Sequence, residues 1–89
     1  MLRVNFTNQF KKDYKTAEKR GLDIQLLESV MVRLAIPEIL EEKFKDHSLT
    51  GEYKGCRECH IKPDWILIYY LGKNSITFTR TGSHSDLFR

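Results

Sequence analysis

Proline and cysteine are scarce in this 89-residue chain, two of each, and tryptophan occurs once. Long apolar runs are missing too. None approaches the ~20 residues that a helix needs to cross a bilayer. The opening Met1-Leu2-Arg3-Val4-Asn5 lacks the apolar core of a signal peptide. No membrane is expected as a partner, and the cytosol is the expected location, where Cys56 and Cys59 stay reduced. Neither sign of charge dominates: the net charge is +3. Such a balance is compatible with nucleic acid without demanding it. A chain this short makes one domain, residues 1–89, near the lower limit for a self-sufficient core. A partner chain that buried more apolar surface would add stability.

What is present is a clear change of period. Leu2, Val4 and Phe6 alternate with Arg3 and Asn5, as in a half-buried strand. Thr7 suits a helix N-cap, Phe10, Tyr14 and Ala17 form one apolar stripe, and Gly21 fits the left-handed position that ends a helix. Lys11, Lys12, Lys15, Lys19 and Arg20 read as the solvated face of that helix. Asp23 is a second N-cap, and Leu27, Val30, Met31 and Leu34 recur at helical spacing. Pro37 stops this helix at Ile36, and the charged, aperiodic stretch 38–46 reads as loop. From 53 onward the pattern is β: a strand over 53–61, a second over 65–71, and a third over 75–81 after a Gly72-Lys73-Asn74 turn. The second is apolar on both faces, which marks a central strand. The order β-α-α-β-β-β predicts an α+β domain, with a two-helix hairpin on one face of a small, mainly antiparallel sheet. The other face is expected to be free for function, and residues 83–89 read as a tail.

The densest chemistry lies in His60-Ile61-Lys62-Pro63-Asp64-Trp65. Pro63 cannot donate to a ladder, so the stretch is read as a turn that brings His60 near Asp64 and Trp65. Just upstream, Cys56-Arg57-Glu58-Cys59-His60 has the letters of a c-type haem attachment site. On a strand, two cysteines three apart point to opposite faces, which argues against haem, zinc and a redox pair. They read as small hydrophobes. His47, His60 and His84 sit beside turns or the tail, with Asp46 and Asp64 nearby, and could converge as an acid–base or a metal site. No pair has the i, i+4 spacing of common zinc motifs, so acid–base work is favoured and no metal or cofactor is expected. Lys54, Arg57 and Arg80 would lie on the flanking strands. Trp65 and Phe88 offer planes for bases to stack on. Core packing is the alternative for Trp65, and a plain turn role the alternative for Asp64.

Three stretches in order carry a resemblance: Lys45-Asp46-His47-Ser48-Leu49-Thr50-Gly51, Arg57-Glu58-Cys59-His60-Ile61-Lys62-Pro63-Asp64-Trp65-Ile66-Leu67-Ile68-Tyr69, and Arg80-Thr81-Gly82-Ser83-His84-Ser85-Asp86-Leu87-Phe88. They resemble the YafQ family, the histidine-rich branch of the RelE/ParE toxin superfamily. The resemblance covers residues 44–88 closely, and the β-α-α start agrees in order and length. It implies a RelE-like fold and an mRNA endoribonuclease that cuts message in the ribosomal A site. It also implies a cognate DinJ-type antitoxin, with operator DNA contacted only through the toxin–antitoxin complex. The family's functional residues fall on His47, His60, Asp64, Trp65, His84 and Phe88.

Metal-free RNA cleavage suits such groups. One imidazole takes the 2′-OH proton, and another protonates the departing 5′-oxygen. The expectation gives His84 the general-acid role and pairs His60 with Asp64 as the base. His47 would hold the phosphate, and Arg80 would add charge stabilisation. Two rival readings share the fold: a non-catalytic RNA- or ribosome-binding module, and a ParE-like inhibitor of DNA gyrase. The histidines argue against the second, because such an inhibitor has no use for general acids.

Overall fold

The structure is a computed structural model that describes residues 1–36 and 47–88, with only the backbone described at His47. The predicted loop at 38–46 lies outside the described residues. Among the described residues five strands form one sheet in the order β1-β5-β4-β3-β2. They are β1 Arg3–Phe6, β2 His47–Ser48, β3 Arg57–Lys62, β4 Trp65–Leu71 and β5 Ser75–Gly82. The pairs β2–β3, β3–β4 and β4–β5 are antiparallel, while β1 joins β5 in parallel. Among the described residues no helix is long and apolar enough to cross a membrane.

Helices α1 (Asn8–Lys19) and α2 (Ile24–Ala35) form the expected hairpin. The Thr7 hydroxyl accepts the Phe10 N–H at 2.9 Å and the Asp23 carboxylate accepts the Leu26 N–H at 3.1 Å, so both helices start at the capping residues. Helix α1 ends in a Schellman turn. Gly21, at φ 75°, donates to the Glu18 carbonyl, and Leu22 donates to that of Ala17. A Cβ at this φ would be strained, so glycine fixes where α1 stops.

The hairpin packs Phe10, Ala17, Leu27 and Val30 against Cys59, Trp65, Leu67, Tyr69, Ile76 and Phe78. These strand residues lie on one face of the sheet. Two features differ from the reading of the sequence. The opposite face is not open, because Ile66 and Ile68 are fully buried there beneath Leu87, with Leu49, Tyr53, Cys56 and Phe88 packed around them. What covers them is the supposed tail, which folds into a short third helix, α3 (His84–Leu87). The strand predicted from 53 begins only at Arg57. Gly51–Tyr53 instead forms a 3-10 turn that ends with Lys54 as its cap. Cys56 and Cys59 are free thiols that belong to the two different apolar clusters, although Cys56 precedes β3, so its place follows from the turn and not from strand parity.

Candidate active site

Strand period places Glu58 and His60 on the face away from the α1–α2 hairpin. Across that face one register row runs His47, Glu58, Ile68, Arg80, and the next runs His60, Ile66, Gly82. Two interstrand spacings, ~10 Å, therefore separate His60 from Gly82. Helix α3 begins two residues beyond Gly82, so His60 and His84 come to the same end of the sheet on different elements.

His60 and His84 are each held by a different carboxylate. His60 Nε2 lies 3.2 Å from Glu58 Oε1, with the Glu58 side chain almost fully buried. A carboxylate in that place favours the tautomer with its proton on Nε2. Asp64 was expected to serve His60 but does not. Its Oδ1 accepts the backbone N–H of His84 at 2.9 Å, so the Pro63-Asp64 turn anchors the start of α3 instead. The exposed His84 ring packs on Phe88 with centroids 5.1 Å apart, and Phe88 and Tyr53 meet edge to face with centroids 5.6 Å apart. Half-buried Phe88 thus supports His84 as much as it faces solvent. Glu58 and Tyr53 were missed from the sequence. Glu58 had a usable signal, since it stands two residues before His60 on a strand and must share its face.

The remaining candidates separate. Trp65 is 4% exposed and packs in the main core. Its indole N–H donates to Thr81 Oγ1 at 3.0 Å, and that hydroxyl donates to the Ile66 carbonyl at 2.9 Å. It presents no open face to a base, and the core alternative is the one observed. Arg57 pairs with Tyr69 in register, which sets it on the opposite face of β3 from His60. Lys54 is exposed on the turn before β3, not on a strand. Arg80 does reach the site's edge but is already bound. Its Nε and Nη2 donate to Asp13 of α1 at 2.8 and 3.2 Å, and its Nη1 approaches Tyr53 Oη at 3.4 Å. Bonding to Asp13 pushes the Arg80 guanidinium pKa further up, so it is a permanent cation. His47 occupies the edge position opposite Glu58.

The arrangement offers two imidazoles, one backed by a buried carboxylate and one presented at a helix start, with a fixed guanidinium nearby.

Comparison with known proteins shows the family. The chain matches, over residues 2–89, the family model described as the bacterial toxin of a type II toxin–antitoxin system, YafQ. It is 42% identical over 88 residues to the mRNA interferase toxin YafQ of Escherichia coli K12, covering 96% of this chain and 94% of that protein. The crystal structure of YafQ from E. coli BL21(DE3) superposes over 100% of both chains with TM-score 0.95 at 39% identity. A crystal structure of the E. coli DinJ–YafQ toxin–antitoxin complex matches over 100% of both chains, with TM-score 0.88 at 41% identity. A histidine-bearing sheet with this topology and a family match over nearly the whole chain lead to one conclusion: the protein belongs to the YafQ family of toxins from type II toxin–antitoxin systems.

Proposed function

We propose that this protein is an mRNA interferase, an endoribonuclease that cuts message in the ribosomal A site, and that a DinJ-type antitoxin encoded beside it holds it in check. The observation that carries the reading is the separate carboxylate support of two histidines, Glu58 to the His60 ring and Asp64 to the His84 backbone N–H. In the step we envisage, His60 takes the proton from a ribose 2′-OH, whose oxygen attacks the adjacent phosphorus. The bond from phosphorus to the 5′-oxygen breaks, and protonated His84 gives its proton to that oxygen. The products are a 2′,3′-cyclic phosphate and a 5′-hydroxyl. His47 steadies the phosphate, and Arg80 offsets the charge that builds on it. Each proton transfer is worth ~10²–10⁴-fold, so no metal is required by the proposed chemistry.

The small, mildly basic surface favours help from the ribosome in positioning the message. Contact with operator DNA would arise only through the antitoxin complex. Single His60→Ala and His84→Ala proteins on programmed ribosomes test the assignment. Each should lose cleavage by at least ~10²-fold. Near-normal cutting by His84→Ala would remove it from the acid role, and message ends without a 5′-hydroxyl would overturn the chemistry.

A further inference from the structure

Helix α3 has four residues, far too few to hold a helical shape unaided. Its geometry, and with it the place of His84, must be imposed from outside. Two hydrogen bonds close a capping box: Ser83 Oγ accepts the Asp86 N–H at 3.2 Å, and Asp86 Oδ2 accepts the Ser83 N–H at 3.0 Å. The same carboxylate is gripped by Arg20, whose Nη1 donates to Oδ2 at 2.7 Å and whose Nη2 lies 3.4 Å from Oδ1. Arg20 is the C-cap of α1, at the point where the Gly21 turn fixes the end of that helix. A cap on the site's own helix is therefore tied to a helix 66 residues earlier in the chain. Gly82 makes the fit close. A Cβ there would sit 3.0 Å from Asp86 Cβ and 3.1 Å from Asp86 Oδ2.

We propose that Arg20 and Asp86 are positioning residues for His84, their ion pair clamping α3 to the end of α1 so that the imidazole meets the substrate in one place. Neither side chain touches the substrate. The claim rests on the reading of His84 as a cleavage residue. It also gives Arg20 a task different from the solvated lysines of α1, because its charge is paired with a carboxylate of the same chain.

The test compares Arg20→Gln, Arg20→Lys, Asp86→Asn and His84→Ala with the wild type in cleavage on programmed ribosomes, separating maximal rate from half-saturating ribosome concentration. Displacing a reacting group by a fraction of an ångström is expected to lower the maximal rate of Arg20→Gln and Asp86→Asn by about tenfold with half-saturation unchanged, and Arg20→Lys to recover most of it. In the free protein the ring-current shift that Phe88 imposes on the His84 ring protons should shrink in Arg20→Gln. Wild-type rates for both Arg20→Gln and Asp86→Asn beside an inactive His84→Ala would overturn the positioning role alone. A loss in half-saturation for Arg20→Gln that Asp86→Asn does not share would also overturn it, showing that Arg20 touches the ribosome or message directly. Wild-type cutting by His84→Ala would instead bring down the reading beneath it.

Discussion

Asp64 separates two accounts of the site, because a carboxylate that removes a proton and one that holds a backbone N–H respond differently to the same change. Asp64→Asn keeps an oxygen able to accept the His84 N–H at the present 2.9 Å but removes the basic charge. Replacing a charge-assisted bond by a neutral one at this exposed turn costs about 1 kcal/mol, or no more than about fivefold in rate if all of it appears as misplaced His84. Asp64→Ala leaves α3 without its anchor to the β3–β4 turn, and loosened placement of His84 should cost about 10–100-fold. Asp64 acting as general base would give another pattern, with Asn and Ala equally damaging at ~10²–10⁴-fold. Single-turnover cleavage of end-labelled message on programmed ribosomes measures these ratios, and thermal melts of the free proteins control for folding. Equal, large losses in both variants would refute the anchoring role.

Two further outcomes concern stability. Thr81→Val removes both the acceptor of the buried Trp65 N–H and the donor to the Ile66 carbonyl. The loss should be about 2 kcal/mol, lowering the melting temperature by ~10 °C; a shift of only a degree or two would mean the indole finds another partner. Hydrogen bonding from Arg20 holds the Asp86 carboxyl far below the usual carboxylate range. A depressed folded-state pKa stabilises above the unfolded value, so wild type should exceed Asp86→Asn in stability at neutral pH. The gap should narrow as pH falls below about 4. The pair is half-exposed on the Arg20 side, so solvent screening keeps that gap modest. Urea unfolding across pH reads it, and a gap that widens in acid would contradict the sign.

The parts of the fold legible in the sequence are those encoded over one or two turns of chain. Thr7, Asp23 and Gly21 mark helix ends through bonds to neighbours, and they lie where the structure uses them. Strand β4 shows less. Apolar on both faces, it conceals which face Trp65 takes, and only the packing of Leu67 and Tyr69 against α1 and α2 puts the indole in the main core. Helix α3 was invisible because four residues after a glycine carry no period. Beyond its own Ser83–Asp86 capping box, its supports come from Asp64 and Arg20, which are distant in sequence. The assignment of His60 to Asp64 rested on nearness along the chain, whereas strand parity gives His60 to Glu58. The Asp13–Arg80 pair spans 67 residues and has no local signature.

The parallel pairing of β1 with β5 has a consequence for how the molecule comes apart. Thr7 bonds to the carbonyl of Thr79, 72 residues away, so α1, α2 and strands β2, β3 and β4 lie inside one closed loop of chain. Closing such a loop costs about 3.8 kcal/mol in its length-dependent entropy alone. That cost is met only when the hairpin, the meander and the edge strand are present together. Release of β1 opens that loop, so the α1–α2 hairpin and the strands it spans lose this closure together.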